Sequence, residues 1–391
     1  MALIVSGVAT FIQVKRIGPV GSGILSIQGT SFAFLGAILT AGFMVKNQGG
    51  GPDEILSTIF GLCFFGAFIE MILSRFLQHL RKIITPVVTG TVVTLIGLSL
   101  VKVGIMDMAG GKWLLDNKPD LFGSVQNLLL AFLVLVIVVI LTSSKNQFLR
   151  MGSIVIGLIV GYIIAAFMGK VNFSSLQGLP LINIPIPFKY GFSFNLAAFI
   201  PVAFIYLITT IESVGDLTAT SMVSGQPIAG DLYLKRIKGG VLGDGVNSAI
   251  AAMFNTFPNT TFSQNNGVIQ LTGIASRYVG MYLAGFLVLL GLFPVIGAFF
   301  RSLPNPVLGG ATIVMFGMVG AAGIRIIASS EIDRRDMLIM AVAFGLGFGV
   351  AYVPEFLSKA PKAIQQIFGS AVTTGGITAL LLNAILPGRK N

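Results

Sequence analysis

Long apolar runs separated by short polar loops occupy most of this 391-residue chain. Many of the runs have the roughly 17–25 residues that a helix needs to cross a bilayer. The pattern predicts an all-α polytopic membrane protein with 13 spans, over residues 1–14, 24–45, 55–76, 84–106, 125–142, 151–169, 195–215, 239–256, 258–274, 278–300, 306–328, 337–353 and 371–387.

Polar residues interrupt two of these runs. Residues 257–269 read Phe-Pro-Asn-Thr-Thr-Phe-Ser-Gln-Asn-Asn-Gly-Val-Ile, and residues 26–32 read Ser-Ile-Gln-Gly-Thr-Ser-Phe. Amides and backbone groups without partners are costly in lipid, so both segments must line a cavity or pack against other helices. We expect two broken segments that form a binding site at the midplane. A tight helix crossing, with Gln28 bonded to Gln264, is the alternative.

The composition supports the membrane class and limits the chemistry. Apolar residues make up 54% of the chain and charged residues only 10%, against about 25% charged in soluble domains. A single cysteine, Cys63, and a single histidine, His79, exclude an intrachain disulfide and a metal site built on either residue type. The net charge of +11 does not by itself indicate a nucleic-acid partner, and we expect none.

The distribution of basic residues predicts the orientation. If the spans alternate and the loop at Lys15 and Arg16 is cytoplasmic, 16 of the 25 Lys and Arg residues lie on the cytoplasmic side and 9 on the other. This bias follows the positive-inside rule and places the C-terminus in the cytoplasm. An apolar run that opens at Met1 also predicts that one preceding helix is absent from this chain. A signal peptide is disfavoured, because no basic region precedes the run.

A weak internal repeat relates the two halves. The matching positions, at a constant offset of 220 residues, are Arg81, Pro86, Val87, Gly90 and Gly97 in the first half and Arg301, Pro306, Val307, Gly310 and Gly317 in the second. The predicted helices that follow Pro86 and Pro306 run in opposite directions. An inverted repeat of this kind is typical of secondary transporters.

Four acidic residues lie inside predicted spans, where each is costly unless it has a function: Glu70, Glu212, Asp216 and Asp244. Glu212 and Asp216 are four residues apart and share one helical face. Their mutual repulsion favours a shared proton, as proton coupling requires. A satisfied polar network without a transport role is the alternative. Asp244 is expected to brace the helix of Glu212, and Glu70 to bond locally or to face a partner subunit.

The polar groups suggest a class of ligand. A glutamine amide offers a donor beside an acceptor, and a carboxylate offers acceptors. Gln264 and Glu212 would therefore complement a flat ring whose edge alternates C=O and N–H, as in uracil, xanthine or urate. A phosphate would need arginine, and a metal ion would need several carboxylates. An amino acid or a sugar is an alternative ligand.

Several segments resemble one transporter family. They are Gly21-Ser-Gly-Ile-Leu-Ser-Ile-Gln28, Ile84-Thr-Pro-Val-Val-Thr-Gly90, Glu212-Ser-Val-Gly-Asp-Leu-Thr-Ala-Thr220, Leu234-Lys-Arg-Ile-Lys-Gly-Gly240, Ser263-Gln-Asn-Asn-Gly-Val-Ile-Gln-Leu-Thr-Gly-Ile-Ala-Ser-Arg277 and Pro306-Val-Leu-Gly-Gly310. The chain resembles the nucleobase–cation symporters that include the nucleobase–ascorbate transporters, and within them the xanthine and uric acid permeases. The resemblance implies an inverted repeat of seven plus seven helices, of which 13 are present here, with a core and a gate domain. It also implies homodimers in the cell membrane and proton-driven uptake of a purine base, with no cofactor besides the coupling ion.

The same resemblance implies roles for individual residues. Glu212 and Gln264 match substrate-binding positions, and Ser263 and Phe32 match positions that contact the base through the main chain. Ser31 matches a position that bears on xanthine or urate preference. Polar positions needed for transport or for support of the site are matched by Asp216, Asp244 and Asn265. The family's first helix, which carries a Gln-His pair, has no counterpart.

The expected domains follow from the repeat. Residues 1–106 and 194–303 form the core, and residues 107–193 and 304–391 form the gate, although the helix at 84–106 could belong to the gate. Two other classes stay open: a permease for uracil or another nucleobase, and an anion exchanger or channel of the same inverted-repeat fold. An enzyme is disfavoured, because the sequence offers no nucleophile–base pair, metal cluster or phosphate-binding loop.

Overall fold

The structure, a computed structural model, describes residues 1–77, 85–171, 178–262, 264–328 and 330–387. The chain is mostly helical (74%). The helices are α1 (Ala2–Lys15), α2 (Leu35–Asn47), α3 (Pro52–Leu73), α4 (Pro86–Met108), α5 (Lys112–Asn117), α6 (Val125–Thr142), α7 (Gln147–Met151), α8 (Ser153–Phe167), α9 (Leu196–Val223), α10 (Gly230–Met253), α11 (Gln264–Thr272), α12 (Arg277–Leu292), α13 (Pro294–Arg301), α14 (Asn305–Ile327), α15 (Arg334–Tyr352), α16 (Lys362–Phe368) and α17 (Ala371–Ile385). Two short strands, β1 (Gln28–Thr30) and β2 (Asn259–Thr261), complete the regular structure.

The apolar helices fall where the sequence predicts spans. Within the described ranges, six helices are long and apolar enough to cross a membrane, or up to seven if the pair interrupted at Phe293 is one span. Four shorter apolar helices of 10–17 residues add to these. The number is below 13 because the two broken segments are divided into a strand and a shorter helix, and because some helices are short. The predicted polytopic helical class is confirmed.

The chain divides into two compact units. The larger unit comprises Met1–Val92, Ile182–Phe293 and Ile326–Asn391, and the smaller unit comprises Val93–Leu181 and Pro294–Arg325. Each unit is assembled from separate stretches of the chain, so residues distant in sequence meet within it. The core and gate boundaries given above stay a prediction.

In the larger unit, small residues let helices approach closely. Helix α1 packs along α12, and α10 packs against α3. At the first contact Gly7 leaves no room for a side chain, because a Cβ there would lie 2.6 Å from the Ala284 carbonyl oxygen. Gly245 of α10 has the same role against α3, where a Cβ would lie 2.8 Å from Met71 Cγ. Close backbone packing of this kind replaces the hydrophobic driving force that lipid does not supply.

The two broken segments pair with each other in the larger unit. Strands β1 and β2 run antiparallel, with Gln28 opposite Thr261, Gly29 opposite Thr260 and Thr30 opposite Asn259. The predicted pair of broken segments with short extended stretches is therefore confirmed. Gly29 has to be glycine, because a Cβ would lie 2.6 Å from Cε2 of Phe262.

In the smaller unit, an apolar cluster joins α6, α8 and α14. Its buried members are Leu130, Val134, Val138, Ala165, Leu303, Val307 and Ala311. Helices α4 and α14 also meet there at glycines, since a Cβ on Gly97 would overlap Gly320 N and lie 2.6 Å from Gly320 Cα. Val307 belongs to the repeat predicted from the sequence, and so does Gly97.

We expect Gly97→Ala to lower the unfolding temperature of the detergent-solubilised protein, because the new methyl group pushes α14 away from α4. Overpacking of this kind costs about 1–3 kcal/mol. The matched control is Gly317→Ala, at the repeat-related position, where no heavy atom lies within 4 Å of a built Cβ. Equal unfolding temperatures for the two variants would contradict the close contact.

Candidate functional site

The hydrogen bonds between the broken segments extend beyond the strands at both ends. The Ser31 N–H donates to the Pro258 carbonyl (2.9 Å), and the Phe262 N–H donates to the Ile27 carbonyl (3.0 Å). A short 3-10 helix (Phe32–Phe34) then leads into α2, and α11 begins at Gln264. The polar interruptions thus form one structure, with their backbone groups satisfied as a water-free interior requires.

The predicted contact residues of these segments differ in exposure. Ser31 is buried, whereas Phe32 is 43% exposed. Ser263 lies outside the described residues, and so does the side chain of Gln264. The structure therefore brings Ser31 and Phe32 to the end of β1 and leaves the position of the Gln264 amide a prediction.

Helix α9 carries Glu212 and Asp216 toward the start of α11. Glu212 is half-buried, and one carboxylate oxygen of Asp216 is buried without a described hydrogen-bond partner. The Asp216 carbonyl accepts from Asn266 Nδ2 (3.4 Å). The Thr220 hydroxyl lies within hydrogen-bond distance of two acceptors, the Asp216 carbonyl (2.8 Å) and Asn266 Oδ1 (2.5 Å), and its single proton can serve either one. Helix α9 is thus bonded to the second broken segment through the Asp216 main chain and the Thr220 side chain.

Asp244 lies at the centre of the site. It is fully buried in α10; Oδ1 accepts from Gln13 Nε2 (3.1 Å) and Oδ2 accepts from the Ser213 hydroxyl (2.5 Å). The Gln28 side chain and the Thr261 N–H also face this carboxylate. The carboxylate therefore bonds to α1 and to α9, the helix that holds Glu212, and it lies beside both strands.

Asn265 ties the two broken segments together a second time. Its buried side-chain amide donates to the Leu25 carbonyl (2.7 Å), in the segment that leads into β1. Its own N–H donates to the Phe262 carbonyl (3.1 Å) at the start of α11. The side chain thus positions the start of α11 and does not point into open space.

Gln13 is a site residue that the sequence analysis missed. It is fully buried in α1, and besides Asp244 its Nε2 contacts the Gly240 carbonyl (3.1 Å) while its Oε1 accepts from the Ser22 N–H (3.2 Å). The available signal was a single long amide within an apolar helix. Such a group needs partners inside the protein, but the sequence does not say which.

Glu70 is 1% exposed, so it does not face a partner subunit, which was one of the two expected alternatives. It lies in the helix α3 that packs against α9 and α10, the helices of Glu212 and Asp244. One of its oxygens, Oε1, has no hydrogen-bond partner among the described residues. None of the four carboxylates forms a salt bridge with a described lysine or arginine.

Solved transporter structures share this fold. Over 97% of the chain, it is similar to the transmembrane domain of the cyanobacterial bicarbonate transporter BicA, with a TM-score of 0.57, 15% identity and 88% of that chain covered. Murine Slc26a9, an anion transporter, gives a TM-score of 0.66 at 12% identity, with 98% of this chain and 62% of that chain covered. The chain therefore has the inverted-repeat fold of a multi-pass membrane protein.

The sequence comparisons give the family. The model of the permease family Xan_ur_permease matches residues 1–356. The chain belongs to this family, the nucleobase–ascorbate transporters, and is a transporter rather than an enzyme. It is 50% identical to the xanthine permease XanQ of Escherichia coli K12 over 99% of this chain and 83% of that protein. It is 35% identical to the uric acid permease PucJ of Bacillus subtilis, over 97% of this chain and 82% of that protein.

We expect Gln13→Met to destabilise the protein, because methionine fills a similar volume but leaves Asp244 and the Ser22 N–H each one hydrogen bond short. Each unpaired buried group costs about 1–3 kcal/mol. The measurement is the unfolding temperature in detergent. Gln48→Met makes the same chemical change at an exposed position and serves as the control. If Gln13→Met is as stable as Gln48→Met, the hydrogen bonds of Gln13 do not hold the site together.

Proposed function

We propose that this chain is a secondary active transporter that takes up a purine base, xanthine and/or uric acid, by proton symport. The observation that carries the proposal is an acidic cluster, Glu70, Glu212, Asp216 and Asp244, which forms no salt bridge with a described lysine or arginine. It lies on α3, α9 and α10, and the last two of these helices pack against the second broken segment. Relatives named xanthine permease and uric acid permease are 35–50% identical to this chain over nearly its whole length. A purine base offers ring N–H groups to the carboxylates.

In the proposed complex, Glu212 accepts a hydrogen bond from a ring N–H, and Gln264 pairs with the adjacent amide edge. Half-burial leaves the Glu212 carboxylate accessible, unlike that of the enclosed Asp244. Ser263 and Phe32 contact the base through the main chain, and Ser31 contributes to the choice between xanthine and urate. Asp216, Asp244 and Asn265 support these groups through the bonds described above.

The coupling proton resides, in this proposal, on the acidic cluster. Carboxylates buried in a medium of low dielectric constant repel one another when ionised, and no described cation neutralises them. A proton that enters the cluster lowers this repulsion and favours a neutral base beside Glu212. The predicted core then moves against the predicted gate to expose the site to the other side of the membrane.

The setting is also part of the proposal. The bias of 16 basic residues against 9 supports a C-terminus in the cytoplasm, in a bacterial cell membrane. We further propose a homodimer, a purine base as substrate and no cofactor besides the coupling proton. The fold is shared with a bicarbonate transporter, so anion exchange is the alternative. The acidic cluster would repel bicarbonate more than it repels xanthine, because xanthine is largely uncharged near neutral pH.

We expect Glu212→Gln to reduce uptake of radiolabelled xanthine about tenfold or more, as the loss of a charge-assisted hydrogen bond would. Unlabelled uric acid should compete with xanthine in the wild type, and bicarbonate should not. Glu355→Gln removes a carboxylate from an exposed position and is the control. Normal xanthine affinity in Glu212→Gln would exclude the assigned contact, and bicarbonate uptake without xanthine uptake would favour the anion exchanger.

We expect xanthine accumulation in proteoliposomes to require an inward proton gradient, because protonation of the cluster precedes binding. A protonophore should abolish accumulation and leave exchange of internal for external xanthine intact. Asp216→Asn should likewise abolish accumulation and leave exchange intact, since it removes a proton site but keeps the main-chain carbonyl of residue 216 that α11 contacts. Accumulation driven by a sodium gradient and insensitive to the protonophore would refute proton coupling.

A further inference from the structure

A second site for a charged ligand lies at one end of the larger unit. A cavity of about 330 Å³ opens between the end of α9, the first half of α10 and the start of α12. Its polar lining comprises Ser224, Gln226, Arg236, Ser276, Arg277 and Tyr278. None of the acids of the proposed purine site lines it, and no lining residue is acidic. Two guanidinium groups in one cavity without a carboxylate indicate a site for an anion.

Arg236 is held in position by a neighbour on a different segment. Its Nη1 donates to Gln226 Oε1 at 2.7 Å, and the side chain is half-buried in α10. A guanidinium group carries five N–H donors in a planar fork, so this bond leaves donors for a ligand. Partial burial also strengthens its attraction for an anion, because the charge is less screened than on an open surface.

Arg277 supplies a second cation together with a helix start. It is the first residue of the 16-residue α12, whose N-cap residue Ser276 makes no side-chain cap bond. The guanidinium carbon of Arg277 lies 5.5 Å from the centroid of the Tyr278 ring. The first backbone N–H groups of a helix have no intrahelical partner and favour negative charge.

Ser224 is the third donor and provides an independent indication of a ligand. Its hydroxyl oxygen is buried and has no hydrogen-bond partner among the described residues. Arginine forks, a hydroxyl and a helix start together match the several oxygens of a phosphate group, which accepts many hydrogen bonds at once. A planar purine base, with its alternating donors and acceptors, would leave most of these donors unpaired.

We propose that this cavity binds a phosphate-bearing anion. Tyr278 is 61% exposed at the start of an apolar helix, a place where aromatic side chains meet the headgroup region of a bilayer. Basic pockets between transmembrane helices bind anionic lipid headgroups. The phosphate therefore comes either from an anionic phospholipid or from a free phosphate in solution. In both cases it joins the ends of three helices and stabilises the unit.

The test is a binding measurement on the delipidated full chain in detergent, independent of transport. The probes are short-chain phosphatidylglycerol, phosphatidylcholine of equal chain length and inorganic phosphate, followed by native mass spectrometry and by the unfolding temperature. We expect one phosphatidylglycerol molecule to bind and to raise the unfolding temperature, with phosphatidylcholine binding more weakly. Inorganic phosphate that binds as tightly as the lipid would assign the site to a free phosphate.

Variants decide whether the cavity is responsible. Arg236→Gln and Arg277→Gln should each weaken binding about tenfold or more, as the loss of a charge-assisted contact would. Lys235→Gln removes one exposed charge beside Arg236, from outside the cavity, and should bind nearly as the wild type does. If Arg236→Gln or Arg277→Gln does not fold, Arg277→Lys and Ser224→Ala are measured instead. We expect each of these to bind more weakly than the wild type. The proposal is overturned if the wild type binds neither phosphatidylglycerol nor inorganic phosphate, or if Lys235→Gln weakens binding as much as the arginine variants do.

Discussion

The hydrogen bonds of Asp244 are the interaction on which the larger unit depends. A carboxylate that is fully enclosed in protein has to find every partner there, because neither water nor lipid can supply one. Its partners come from α1 and α9, with the two strands facing it, so their positions are fixed together. The helix that carries Glu212 and the segments that carry the predicted purine contacts thus share one anchor.

The four buried or half-buried acids of the larger unit differ in their hydrogen bonds. Both carboxylate oxygens of Asp244 accept hydrogen bonds, whereas Glu212 is half-buried and Glu70 keeps an oxygen without a described partner. In the proposed transport cycle, Asp244 maintains the geometry, and the other carboxylates gain and lose partners as the proton and the substrate bind and leave. The proposed phosphate site, with arginines and no acids, is chemically the opposite of this cluster.

Much of the fold could be predicted from the sequence, because apolar length and polar interruption are local signals. The pairing of residues 26–32 with 257–269 followed from the repeat, and the fold bears it out. The partners of single side chains could not be predicted. Gln13 and Asp244 are 231 residues apart, and nothing local to either one indicates the other. Glu70 was misjudged for the same reason: its neighbours in sequence are apolar, but its neighbours in space are acids.

The short ladder between β1 and β2 determines which parts of the protein can move. It is closed at both ends by the Ser31–Pro258 and Phe262–Ile27 bonds, and Gly29 is in close contact with Phe262. Sliding one strand past the other would break these bonds where no water can replace them. The two broken segments therefore form one rigid element. In the proposed alternating-access movement, any hinge has to lie elsewhere, in segments whose backbone can exchange hydrogen-bond partners with solvent.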